Sequence, residues 1–105
     1  MRFPIPQGDR RPALQIQAFN GDGSERDLSS ETSLLFRMAV PGSPDGVYKV
    51  NAAATPVVAS RGIVEYRWQE GDTDTEGEFL GKFVFSGDDT YPKEGFIVIV
   101  VGDTL

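Results

Sequence analysis

The chain has 105 residues with no cysteine and no histidine, and 16 acidic against 10 basic side chains give it a formal net charge of -6. That length builds one domain around one core, and the missing residues exclude a disulfide framework, a thiolate or imidazole metal site and every histidine-dependent catalytic triad. The acidic balance argues against a nucleic-acid partner, because such a partner needs a basic face that releases counterions.

Met1 to Pro12 reads as an extended arm, since Pro4, Pro6 and Pro12 each remove a backbone donor and bias the preceding residue towards extended geometry. The arm lacks a long apolar core and so does not read as a signal peptide. No later stretch approaches a membrane-spanning run, so the expected place of synthesis is the cytoplasm. Residues 13–105 form the domain itself. Leu14, Ile16 and Ala18 alternate with Gln15 and Gln17 as a strand with one wet face, and Asn20-Gly21-Asp22-Gly23 turns the chain. A strand over 33–40 places Leu34, Phe36, Met38 and Val40 inward, and the breakers of 41–46 make a loop. Val47 to Val50 reads as a short strand. Ala52-Ala53-Ala54 is too short to nucleate a helix before Pro56, so a turn and a second short strand over 57–59 follow.

The stretch 65–85 organises the rest. In a strand over 63–68, Val64, Tyr66 and Trp68 share one face, and in a strand over 79–85, Phe79, Phe83 and Phe85 share a face with Gly81. Ser86-Gly87-Asp88-Asp89 makes a hairpin-like connection, and the last strand covers 96–101. About seven short strands at regular spacing make an all-β sandwich.

The last strand, Phe96-Ile97-Val98-Ile99-Val100-Val101, is apolar on both faces, whereas a sheet in a two-layer sandwich usually keeps one face in water. The additional cover comes either from the arm or a loop of the same chain, or from another subunit. The strand is expected near a sheet edge, where a partner strand can extend it. Phe3 and Ile5 on the arm are either tucked onto the domain's own edge or offered to a neighbour. Phe3, Ile5, Phe96, Val98 and Val100 are the expected partner-contact residues.

Candidate chemistry is thin. Asp72-Thr73-Asp74-Thr75-Glu76-Gly77 spaces oxygen ligands like the start of a calcium loop, but the twelfth place is Phe83 instead of the closing glutamate, and the run reads as a solvated strand corner. Asp88 with Asp89, or Glu70 with Asp72, would be the acid and base pair of a glycosidase, although adjacent carboxylates in an acidic chain are usually a wet loop. Ser24, Ser29 and Ser30 have no base to activate them. Tyr48, Tyr66 and Trp68 would be the rings of a sugar platform, with Trp68 in phase with the core. Arg2, Arg10 and Arg11 are solvated or dock on an acidic neighbour. The expectation is therefore no enzyme, no cofactor and no metal.

Gln7-Gly8-Asp9, Asp27-Leu28-Ser29 before Phe36-Arg37-Met38, and Ala53-Ala54-Thr55 before Gly62-Ile63-Val64-Glu65-Tyr66-Arg67-Trp68 together resemble the immunoglobulin-like N-terminal domain of phage baseplate upper proteins. The most specific part is Gly71-Asp72-Thr73-Asp74-Thr75-Glu76-Gly77-Glu78-Phe79, and Tyr91-Pro92 with Gly95-Phe96-Ile97 completes it. The likeness implies an immunoglobulin-like β-sandwich and a structural virion protein of a tailed bacteriophage, at the tail or baseplate. Its implied partners are other tail or baseplate proteins and copies of itself, with no nucleic acid and no membrane. A decoration protein, or a β-sandwich that binds a host-surface glycan, is the alternative. The segment 75–79 also resembles the immunoglobulin corner held by a tyrosine hydroxyl; Phe79 lacks that hydroxyl, so the corner is expected to be held by packing.

Overall fold

The computed structural model describes residues 2–44, 46–86, 89–92 and 95–102. Among them run nine strands: β1 (Arg2–Pro6), β2 (Leu14–Gln17), β3 (Leu34–Ala39), β4 (Val50–Ala53), β5 (Thr55–Val58), β6 (Ile63–Tyr66), β7 (Gly77–Phe85), β8 (Asp89–Tyr91) and β9 (Ile97–Gly102). They form two sheets that close on one core, and the fold is all-β. The larger sheet has six strands in the order β1-β9-β7-β3-β4, with β8 also on β7, and the smaller has the order β2-β6-β5. Every pairing is antiparallel except that of β1 with β9.

Period-two patterning dictates which side chains meet. Phe36 and Met38 of β3, Phe79, Phe83 and Phe85 of β7, and Ile97, Ile99 and Val101 of β9 point inward, as do Leu14 and Ile16 of β2 and Val64 and Tyr66 of β6. The two apolar runs of 63–85 are therefore not neighbours in one sheet. They face each other across the core, and Phe36 joins them: its ring centroid lies 4.7 Å from Tyr66, 5.1 Å from Phe83 and 5.8 Å from Trp68. A Cβ on Gly81 would stand 2.9 Å from the Phe36 ring, so the glycine opens the space that ring fills. At Gly62 a Cβ would meet the carbonyl oxygens of Ala18 and Arg26 at 2.6 Å, in a backbone conformation with φ of 76° that glycine alone adopts freely.

The N-terminal arm is a strand of the large sheet. Arg2 to Pro6 pair with Val98 to Gly102, and the Gln7 amide donates to the Gly102 carbonyl at 2.6 Å. Alternation from Gln7 aims the backbone groups of Phe3 and Ile5 at β9 and turns Pro4 and Pro6 outward, where their missing N–H groups leave nothing for a further strand to pair with. Two expectations are corrected here. The last strand lies next to the sheet edge, as expected, but the strand that extends it is β1 of the same chain and not a partner's, and the edge beyond is blocked by prolines. Ile5 is 2% exposed, and Phe3 packs on Trp68 with centroids 6.0 Å apart, so these two serve the chain's own core.

Smaller departures have local causes. Val40 lies past the end of β3 and is 53% exposed, because the loop leaves the sheet before that residue can turn inward. Val47 is also exposed, with β4 starting only at Val50, and Ala52 and Ala53 extend that strand. The strand expected over 57–59 runs instead from Thr55 to Val58, and residues 59–61 form a 3-10 turn. β8 adds a short strand that the loop-like composition of 86–95 conceals. The proposed hairpin at 86–89 includes Gly87 and Asp88, which lie outside the described residues. Among the described residues no helix is long and apolar enough to cross a membrane.

Because Phe36 is fully buried among three other rings, it has no room to yield to a methyl group at position 81. Gly81→Ala is expected to destabilise by about 1–3 kcal/mol, read by urea unfolding, and Phe36→Leu in the same chain should recover part of that loss.

Candidate functional site

The two sheets differ on their outer faces. The small sheet turns Gln15, Gln17, Glu65 and Thr55 outward as a wet surface, together with Ile63, and exposes Val57 and Val58 on its β5 strand. The outer face of the large sheet instead carries Leu35 and Ala39 from β3, Leu80 and Val84 from β7, and Val98 and Val100 from β9. Pairing brings these into rows: Ala39 lies opposite Leu80, and Leu80 opposite Val98. Most stay half-exposed.

On this face the loop after β3 and the residue before β9 raise two walls around a groove of about 440 Å3. Ala39, Leu80 and Val84 lie at its base, with Val40, Val47, Tyr48 and Phe96 beside them. Phe96 is 49% exposed and Tyr48 40%. Two cations sit against these rings: the Arg37 guanidinium 5.2 Å from the Tyr48 centroid, and the Lys82 ammonium 5.0 Å from that of Phe96. Arg37 Nε also donates to Asn51 Oδ1 at 3.2 Å, which fixes the plane of the guanidinium.

Of the expected contact residues, Phe96 lines this groove, and Val98 and Val100 lie on the same outer face. The groove's other members were missed. Arg37, Leu80 and Lys82 read as ordinary outward positions of half-buried strands, and only the loop folding over them makes a concavity. The single available signal was that outward positions on β7 and β9 are apolar where solvent would select polar residues.

The acidic corner is a structural clamp. Asp72 Oδ2 accepts from the Tyr66 hydroxyl at 2.5 Å and from the Gln69 amide at 2.9 Å. Burial and the Asp72 carboxylate push the Tyr66 hydroxyl far above the ordinary tyrosine range. Thr73 is buried; its hydroxyl donates to the Asp9 carbonyl at 2.7 Å, and its own carbonyl accepts from the Gly8 amide at 2.8 Å. Gln7 Nε2 donates to the Asp74 carbonyl at 2.8 Å. The corner thus fastens the arm to the sheet. Phe79 is buried in the core, as the packing of segment 75–79 requires, and residues 74–77 are exposed as expected of a solvated corner; the additions are the buried Thr73 and the hydrogen bond from Tyr66 to Asp72.

Several of the other candidate side chains are engaged in contacts within the chain. Asp72 is engaged by Tyr66 and Asp74 by Lys49 and Thr75, and among the described residues no cluster of acidic side chains is arranged to hold a metal ion. Asp89 pairs with Arg26, and Asp88 lies outside the described residues. Ser24 and Ser29 donate to Asp22 and Asp27 in local turns. Tyr66 and Trp68 are core residues, so Tyr48 alone of the expected sugar platform is exposed. Arg2 of the basic cluster pairs with Glu78.

Comparison with protein-family models, with characterised proteins and with solved structures finds no match to this chain.

The corner also makes stability depend on acid. The hydrogen bond from Lys49 to Asp74, at 2.7 Å, followed by that from Thr75, holds the Asp74 carboxyl below the ordinary aspartate range. A carboxyl lowered in the folded state contributes stability above its unfolded value and loses it as pH falls through the folded one. Lys49→Met is therefore expected to flatten the fall in urea midpoint from about pH 5 to about pH 2. An unchanged acid slope in that variant would contradict the assignment.

Proposed function

We propose that this chain is a non-catalytic assembly subunit that works through protein contacts on the outer face of its large sheet, and that it serves as a tail or baseplate component of a tailed bacteriophage, present in several copies. The observation that carries the assembly reading is the asymmetry between the two sheets. One outer face is mainly polar at its centre, with Ile63 and the exposed Val57 and Val58 towards its β5 edge. The other presents rows of Leu, Val and Ala around the pair of Arg37 and Lys82, with two exposed rings at their margin. Partly exposed apolar rows beside exposed rings are the kind of surface that marks interaction sites. The blocked edge at β1 points the same way, since a proline-lined edge resists strand addition and leaves the face as the surface to cover. The phage setting is supported by the likeness of segments 7–9, 62–68 and 71–79 to the baseplate upper-protein domain.

In this reading the chain needs no catalytic group. The carboxylates best placed for chemistry hold the corner together or hold arginines. The exposed Tyr48 and Phe96 also favour a second reading, a shallow sugar-binding face used at the host surface.

Mass spectrometry of purified particles is expected to find this polypeptide at fixed stoichiometry. Replacing Leu80 and Val98 by Asp, both on the half-exposed outer face, is expected to leave the fold cooperative and abolish incorporation. Absence of the chain from particles, or normal incorporation of the double variant, would contradict the proposal. Glycan-array binding that survives in the double variant and is lost in Tyr48→Ala would favour the sugar reading instead.

A further inference from the structure

We propose that the groove on the outer face receives an acidic peptide segment of a partner protein, one that inserts a large apolar side chain between Tyr48 and Phe96 and sets a carboxylate on Arg37. The inference rests on the reading of this face as a docking surface and names what docks there.

Charge is the first argument. The chain is acidic overall, yet Arg37 at the groove has no carboxylate of the described residues on it. Asp45, in the adjoining loop, lies outside the described residues. Arg2, Arg26, Arg61 and Arg67 each hold a carboxylate of this chain. Arg37 is bonded instead to the neutral Asn51 side chain and stacked beside Tyr48. Its Nε is occupied and its plane is set, so the two terminal nitrogens are presented as a fork that suits a carboxylate.

Shape is the second. A groove of about 440 Å3 falls in the range of clefts that hold a compact ligand, about 300–1,000 Å3. Its base of Ala39, Leu80 and Val84 offers nothing to hydrogen-bond, so the inserted group must be apolar. An apolar knob flanked by a carboxylate satisfies both parts, and aromatic side chains with an arginine are the usual anchors of such contacts.

A second copy of the chain fits less well. In a two-fold contact centred on the groove, Arg37 and Lys82 of one protomer would face the same cations of the other. The prolines of β1 likewise disfavour pairing between copies through that edge.

The test is a heteronuclear NMR titration of the whole chain with two synthetic peptides, acetyl-Glu-Leu-Phe-Asp-Leu-amide and acetyl-Lys-Leu-Phe-Lys-Leu-amide. The acidic peptide is expected to shift the amides of Arg37, Tyr48, Leu80 and Phe96, with binding that weakens as salt rises. Arg37→Gln should reduce its affinity about tenfold or more, Arg37→Lys should restore part of it, and melting temperatures of the variants confirm that they are folded. Tyr48→Ala is a second variant that removes one wall without touching the cation. Equal binding of the two peptides, shifts confined to another face, or no shift up to millimolar peptide would overturn the proposal. Shifts at these residues that grow with protein concentration in the absence of peptide would also overturn it, because the occupant is then a second copy. These outcomes are separate from the particle test: a chain found in particles that ignores the acidic peptide remains an assembly subunit, whereas a chain absent from particles can still bind the peptide.

Discussion

Phe36 lies across Gly81 and against Tyr66, and the two sheets meet through that contact. It comes from β3, fills space that the missing side chain of position 81 leaves on β7, and stacks on a residue of the opposite sheet. Aromatic pairs at such separations add about 0.5–1.5 kcal/mol beyond the area they bury, and Phe36 takes part in three of them. With no cysteine and hence no disulfide to help, the core must hold the domain. A packed ring cluster at its centre fixes the distance and register of both sheets, and hence which residues face outward.

The arm completes the sheet from the other side. β9 has apolar residues on both faces; its inner row is in the core, β1 covers its edge, and its outer row stays half-exposed. Fastening β1 requires the corner, where Thr73, Asp74 and the glutamine and glycine of the arm exchange hydrogen bonds. Closing the edge has a functional consequence. With sideways extension at β1 disfavoured, the outer face of the large sheet is the surface proposed for docking.

Much of this was legible in the chain. Alternation within the expected strands over 33–40, 63–68 and 79–85, and along Leu14 and Ile16, placed most inward residues on their correct faces, Val40 excepted. The reason is that, apart from Gly81, the inward positions are large apolar residues and few breakers interrupt them. The surplus apolar surface was legible too, from the unbroken run at 96–101. What was hidden depends on contacts between distant segments. Pro4 and Pro6 read as features of a free arm, yet they are compatible with an edge strand whose missing donors face away from its one neighbour. The clamp of Tyr66 on Asp72 needs a turn that brings the two together, and no local pattern reports it. Arg37 and Lys82 looked like routine outward charges. Their meaning comes from the 40–48 loop and Phe96, which place aromatic rings beside them, and from the absence of a carboxylate on Arg37 among the described residues.

The outer face of the six-stranded sheet is the proposed place where this protein meets others. Hydroxyl-radical footprinting of the free chain and of the chain within purified particles reads that surface side chain by side chain. The account predicts that Tyr48, Leu80, Phe96 and Val98 are labelled in the free chain and protected in the particle, while the exposed Val57 and Val58 of the small sheet are labelled in both. Unchanged labelling of the large sheet, or protection confined to Val57 and Val58, would contradict it.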